Sequence, residues 1–305
     1  MSRPLSLAIV QQSAVYLDLA ASMELAERLI RSCSAREARL IIFGECWLTG
    51  YPAWIDHATD YARWDDPVTK EVYQAMHASS VTIPGPEIKR LQALCRDLSV
   101  SICMGCNEID DPSSGTIYNS VFIIDEAGSL VFHHRKLMPT YTEKLLYGLG
   151  DGRGMHAAEI PAGRIGALIC WEHWMPLLRQ AMHNSVEDIH IALWPQVHER
   201  LQIASRHYAF EGRCFVVAAG QLIDRSCVPA GIALKEQEGF LLNGGSCVIG
   251  PDGNYLLAPQ YNGPDIVYYE IEDLDVVFAE RMTLDTSGHY QRPDLFDFKI
   301  RNDSK

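Results

Sequence analysis

A layered α/β fold is what this sequence predicts, and three observations carry the prediction. Short apolar runs such as Leu5–Val10 and Leu40–Phe43 alternate with longer stretches whose apolar residues recur at i, i+3, i+4 and i+7. Turn-rich segments such as Asp125-Glu-Ala-Gly128 insert hairpins between some of these runs, which separates the pattern from an all-parallel doubly wound sheet. No linker or low-complexity segment divides the 305 residues, and 48% apolar against 21% charged residues supplies one large core. A single domain over residues 1–305 is therefore expected.

Leu5 to Val10 reads as a buried strand, followed by a helix from Asp18 to Cys33 with Leu19, Met23, Ala26, Leu29 and Ile30 on one face. Leu40 to Phe43 is a second strand, ending in Gly44-Glu45 ahead of the loop from Trp47 to Trp54. Pro67–Ser79 and Pro86–Leu98 are expected helices, the second opened by proline with Ile88, Leu91, Leu94 and Cys95 on one side. Val100–Cys106 and Tyr118–Ile124 are strands, and the hairpin after them leads to a strand that closes on Lys136. Ile165 to Ile169 form a strand ending at Cys170, and Trp174, Leu177, Leu178, Ala181 and Met182 fall on one helix face directly beyond it. A strand at Asp188–Trp194, a helix at His198–Gly212 and a strand at Cys214–Gly220 follow. Gln221–Glu238 reads as irregular, a loop that covers the site or meets a partner, and Ser246–Tyr255 repeats the hairpin pattern, a hint of two similar halves.

Twenty-six basic against 39 acidic residues give a formal net charge of −13. That balance argues against nucleic acid and anionic membranes as partners, since both select a basic footprint. The first residues lack signal-peptide form and no run reaches spanning length, so a cytoplasmic location is expected. Nine cysteines, lying mostly in apolar runs, fit free thiols in a reducing compartment.

Cys170 stands where a strand turns into a helical pattern. A thiol there receives backbone N–H groups and the positive end of the following helix, which lower its pKa and can stabilise an oxyanion. Taken alone, one cysteine among nine reads as core packing, and Glu45 and Lys136 as solvated strand-end residues. Strand ends of α/β proteins are nonetheless where substrate crevices form. Phe43-Gly-Glu45 with Gly50-Tyr-Pro-Ala-Trp54, His134 to Thr140 with Glu143, and Cys170-Trp-Glu-His-Trp-Met-Pro-Leu177 together resemble the nitrilase superfamily of carbon–nitrogen hydrolases. Gly244-Gly-Ser-Cys247 and His289 to Asp294 extend the resemblance over nearly the whole chain.

The resemblance implies a four-layer α-β-β-α sandwich and a catalytic set of Cys170 as nucleophile, Glu45 as base and Lys136 as electrostatic stabiliser. It also implies Glu143 as a second glutamate that holds Lys136 or positions substrate. The chemistry asks for the same types, because a thiolate attacking carbon multiply bonded to nitrogen needs a base, a cation near the developing charge and an oriented water. Trp171-Glu172, Pro139 to Glu143 and Gly148 to Gly152 resemble the nitrilase branch, which implies hydrolysis of a nitrile to a carboxylic acid and ammonia. An amidase or carbamoylase is the alternative within the superfamily, and a non-catalytic binding or assembly module is the alternative of another class.

Tyr51, Trp54, Tyr141 and Trp171 lie near the motifs and are candidate lining of an apolar pocket for a neutral nitrile, although each taken alone is more often core. His173, where many nitrilases carry Asn, is either a further substrate contact or a plain helix residue. No cofactor or metal is expected. Cys103-Met-Gly-Cys106 with His133-His134 has a zinc spacing, but no second pair follows and both cysteines fit an apolar strand. A papain-like protease would show a different sequence around its cysteine. Members of the superfamily associate through the helix after the cysteine, so the Trp174–Met182 face is the expected contact of a homo-dimer or larger assembly. The short stretch after Pro293 points to a closed assembly and not to long spirals.

Overall fold

Two β-sheets stand face to face in the computed structural model, which describes residues 2–58, 63–229, 231–234 and 239–301. With strands numbered in chain order, the first sheet runs β13 (Ile266–Ile271), β1 (Leu5–Val10), β2 (Leu40–Phe43), β3 (Ser101–Ile109), β4 (Ile117–Ile124), β5 (Leu130–Arg135). The second runs β10 (Leu222–Asp224), β11 (Phe240–Ile249), β9 (Phe215–Ala219), β8 (Ile189–Leu193), β7 (Gly163–Ile169), β6 (Ala158–Ile160), with β12 (Tyr255–Tyr261) also paired to β11. Each sheet has a parallel centre, β1-β2-β3 in one and β7-β8-β9 in the other, with antiparallel strands added at its sides.

Strand alternation builds the layers. Leu7, Ile9, Leu40 and Ile42 point between the sheets and share a core with Ile165, Ala167 and Ile169. Their neighbours Ala8, Val10, Ile41 and Phe43 point outward, where α1 (Leu19–Ser34) and α4 (Pro86–Leu98) cover them with Met23, Ala26, Ile30, Ile88 and Leu91. The second sheet is covered by α5 (Pro176–Asn184) and α6 (Glu199–Gly212). Helices α2 (Trp54–His57) and α3 (Pro67–Ala78) pack over the end of the sandwich, and α7 (Val276–Arg281) follows β13. The result is the expected α-β-β-α sandwich, and the two hairpins noted in the sequence are β4-β5 and β11-β12, one in each sheet.

Several expectations change. The stretch read as irregular from Gln221 contains β10, paired with β11, while positions 230 and 235–238 lie outside the described residues. The edge strands β6 and β13 and the helix α7 have no counterpart in the sequence reading, because short or half-exposed segments give weak periodicity. The helix expected from Trp174 begins only at Pro176, after a 3₁₀ turn at Cys170–Trp174, since proline starts a helix far more readily than it continues one. The Trp174–Met182 face is accordingly divided: Ala181 and Met182 are core, while Leu177 is 69% exposed and Trp174 37%. Cys103 and Cys106 point to opposite faces of β3, as residues three apart in a strand must, and cannot share a zinc ion. All nine cysteines are free thiols, and among the described residues no helix is long and apolar enough to cross a membrane.

Candidate active site

Glu45 follows β2 in a tight turn, and the turn is possible because Gly105 of β3 lies against it. A Cβ on Gly105 would stand 2.4 Å from the Gly44 carbonyl and 2.6 Å from the Cys46 nitrogen, both backbone atoms with no freedom to yield. Glu45 Oε1 accepts from Lys136 Nζ at 2.8 Å and from Asn119 Nδ2 at 2.7 Å, and Gln221 Nε2 donates to its main-chain carbonyl at 2.7 Å. Its Oε2 is buried with no hydrogen-bond partner among the described residues.

Lys136 lies one residue beyond β5, with its main-chain N–H bonded to the Asn119 carbonyl at 2.8 Å. Its ammonium also donates to Glu143 Oε2 at 2.6 Å, so it bridges two carboxylates inside the protein. Glu143 is placed by the 3₁₀ turn at Tyr141–Leu145: Oε2 accepts the Thr140 N–H at 2.8 Å and Oε1 the Tyr51 hydroxyl at 2.9 Å.

Cys170 directly follows β7 and opens the 3₁₀ turn with φ of +52°, a left-handed conformation that re-aims the chain. Cys170 Sγ, one oxygen of Glu45 and one of Glu143 lie within 4.8 Å of one another. This is also the metal-ligand cluster found among the described residues, but the Lys136 ammonium already fills the cation position between the carboxylates. Glu172 ties the two sheets together at this point. It accepts the N–H of Leu137 and of Ile169, each at 2.9 Å, and bonds His134 Nε2 at 3.0 Å. Leu137 adjoins Lys136 and Ile169 adjoins Cys170, so one carboxylate fixes the neighbours of both.

Burial sets the ionisation. It raises Glu45 to about 7, with Lys136 opposing the rise and Glu143 adding to it. Burial pushes the Cys170 thiol well above its ordinary value and Glu45 pushes it further, against Lys136 and the Trp171 N–H. Lys136 loses hydration, which favours the neutral amine, yet Cys170, Glu143 and Glu45 outweigh this and hold it charged. Glu172 is likewise desolvated but kept ionised by His134 and the two backbone N–H groups.

The carbon–nitrogen hydrolase family profile matches residues 6–277. The chain belongs to the carbon–nitrogen hydrolase family. It is 36% identical to an arylacetonitrilase from Fusarium vanettenii, over all of this chain and 95% of that protein. It is 33% identical to the bifunctional nitrilase/nitrile hydratase NIT4B of Nicotiana tabacum, over 96% of this chain and 85% of that one. In fold it is similar to a carbon–nitrogen hydrolase from Helicobacter pylori G27, with TM-score 0.73 at 18% identity and 97% of each chain covered.

In this carbon–nitrogen hydrolase a cavity of about 270 Å³ opens onto Cys170 and Glu143. Tyr51, Tyr141 and Trp171 line it, as do Ala53, His198, Leu201 and Leu242. Tyr141 is 85% exposed and stands at the rim, and Tyr51 is buried beside Glu143. Trp54 and His173 do not line the cavity. Trp54 faces inward from α2 into a cluster with Val72, Met76 and Ile109, and His173 packs behind Cys170 against Trp194. Asn119, Gln221 and Glu172 were not singled out as site residues by the sequence. Polar Asn119 and Ser120 inside the apolar run Ile117–Ile124 are the signal that could have found Asn119.

Proposed function

We propose that this hydrolase converts an organic nitrile to the carboxylic acid and ammonia, releasing some amide, as one catalytic unit over residues 1–305. The convergence of Cys170, Glu45, Lys136 and Glu143 beside one cavity carries the reading. The names of relatives such as the arylacetonitrilase favour the nitrile over the amide as substrate.

Cys170 rests as a thiol because burial disfavours its anion. As Sγ bonds to the nitrile carbon, the free Oε2 of Glu45 takes the thiol proton and passes it to the nitrogen, giving a thioimidate. Lys136, held charged by both glutamates, offsets the negative charge that develops on nitrogen. Glu45 takes a proton from a water as it adds to the same carbon and hands it to the nitrogen, which leaves as ammonia. A second water cleaves the thioester to acid and restores the thiol. Expulsion of sulfur from the first tetrahedral species instead releases the amide. Tyr51, Tyr141 and Trp171 give the substrate side chain an apolar wall.

Ammonia release from aliphatic, aromatic and arylacetic nitriles and their matching amides tests this. The expected result is release from nitriles that Cys170→Ala abolishes. Release from amides alone would replace the reading with an amidase, and release from neither set would overturn it. The same reading includes a homo-dimer or larger assembly built on exposed Trp174 and Leu177, and sedimentation as a monomer at micromolar concentration would contradict that part.

A further inference from the structure

A buried polar chain runs behind Cys170, and none of its members lines the cavity. His173 Nδ1 donates to the Cys170 carbonyl at 2.8 Å, His173 Nε2 faces His190 Nε2 at 3.0 Å, and His190 Nδ1 faces Glu187 Oε1 at 2.7 Å. The Tyr208 hydroxyl donates to Glu187 Oε2 at 2.5 Å. All four side chains are buried. The rings are held in place, since His190 stacks on Tyr208 at 3.8 Å and His173 lies 4.7 Å from Trp194 between centroids. The strand that delivers Cys170 leaves room for the carboxyl: Gly166, register partner of His190, has Glu187 Oε1 1.9 Å from where a Cβ would stand.

Three contacts in this chain require three protons. A carbonyl oxygen only accepts, so His173 carries its proton on Nδ1 and presents a lone pair at Nε2. His190 must then carry its proton on Nε2 and present a lone pair at Nδ1, which leaves Glu187 to bring the third. With only two protons, one contact sets lone pair against lone pair where no water can enter.

We propose that Glu187, acting through His190 and His173, is a positioning residue for Cys170: its proton secures the hydrogen bond on the Cys170 carbonyl and so holds the nucleophile in its left-handed conformation. Burial supports this arrangement by raising Glu187 to about 7, by bringing His173 down to about 3 and by holding His190 well below its ordinary value. Other charged or titratable groups that face the chain are engaged elsewhere. Arg179 and His183 of α5 bond Glu211 of α6, Arg281 of α7 bonds Asp188 and the Glu187 carbonyl, and Glu172 bonds His134. The buried Cys214 thiol has its own pKa raised by burial and by Glu187. When the Glu187 proton leaves for solvent, the two remaining protons cannot serve all three contacts, and the elbow at Cys170 loosens.

This inference rests on the proposed hydrolysis for its kinetic readout, and an infrared readout stands apart from it. Glu187→Gln supplies an amide N–H to His190 at every pH, while Glu187→Leu supplies none. The wild-type minus Glu187→Gln infrared difference should show a protonated-carboxyl stretch in mild acid that disappears above about pH 7. In turnover, kcat of the wild type should fall on the alkaline side of about 7 while Glu187→Gln stays level, and Glu187→Leu should lose about tenfold in kcat with KM unchanged. His173→Asn, which keeps a donor for the Cys170 carbonyl but has no second nitrogen for His190, should also level the alkaline side. Absence of the infrared band, or parallel pH profiles in wild type and Glu187→Gln, would overturn the inference. If no nitrile or amide is turned over, the proposed function fails and the infrared band alone decides the positioning chain.

Discussion

Glu45 and Cys170 are both held away from their ordinary ionisation by burial, and the proposed chemistry draws on that. A carboxylate raised to about 7 is a stronger base than a solvated one, and it accepts a proton from a thiol whose anion is disfavoured until attack begins. Because Glu45 must be ionised to act, kcat/KM for a nitrile should climb with pH through a midpoint near 7, and a pH–rate profile of Glu187→Gln, which lacks the alkaline fall, should follow that climb to its plateau. A profile flat from about pH 5 to 9 would place the base elsewhere. Glu45→Gln keeps the shape and removes the basicity, and should cost roughly 10²–10⁴-fold in kcat with the fold intact by circular dichroism. Glu143→Gln weakens one of the two contacts that hold the Lys136 ammonium and should reduce kcat less.

At the scale of elements, the site depends on how closely two loops and two sheets approach. Glu172 accepts backbone N–H groups from the segments that follow β5 and end β7, so removing it leaves two buried donors unpaired. Glu172→Ala should lower thermal stability by a few kcal/mol and kcat by more than tenfold, whereas a solvated helix residue would give neither effect. Gly105→Ala drives a methyl into the backbone of the Glu45 turn, and should reduce kcat sharply while the sandwich persists by circular dichroism. The sequence disclosed the strands that end in Glu45, Lys136 and Cys170, because apolar runs bounded by turn residues are local signals. It did not disclose that Asn119 reaches Glu45, that Gln221 reaches the Glu45 carbonyl, or that His173 turns inward, since each depends on strand order and pairing between distant segments. The face expected beyond Cys170 misled for a local reason: its spacing fits a helix, yet Pro176 delays the helix by a turn.

For the whole molecule, sheet pairing brings residues 45, 136, 143 and 170 to one place, and nothing in their spacing could have shown it. The resemblance of the surrounding motifs carried that step, and the matching family profile and the α-β-β-α layers agree with it. Two buried glutamates and two buried histidines pull the pH dependence of stability in opposite directions. Glu45 and Glu187 have folded pKa values raised from 4.5 to about 7, so their contribution is full below 4.5 and is lost as pH rises through about 7. The loss is about 3 kcal/mol per group at most. His173 and His190, kept neutral by burial, oppose this by losing stability as pH falls below about 6.5, so the Glu187 contribution is read as a difference: in denaturant unfolding, wild-type stability minus that of Glu187→Gln should decline between about pH 5 and 7. Glu211 works in the opposite sense: burial would raise it, but His183 and Arg179 bring it down to about 2, so its contribution is lost only as pH falls toward that value.

Covalent catalysis by Cys170 on a nitrile is read directly by acid-quenched intact-mass measurement during turnover. The expected result is an adduct of the nitrile's own mass, or of the derived acyl group, that peptide mapping assigns to Cys170 and that Cys170→Ala lacks. Ammonia release with no adduct, or an adduct confined to another of the nine cysteines, would contradict it.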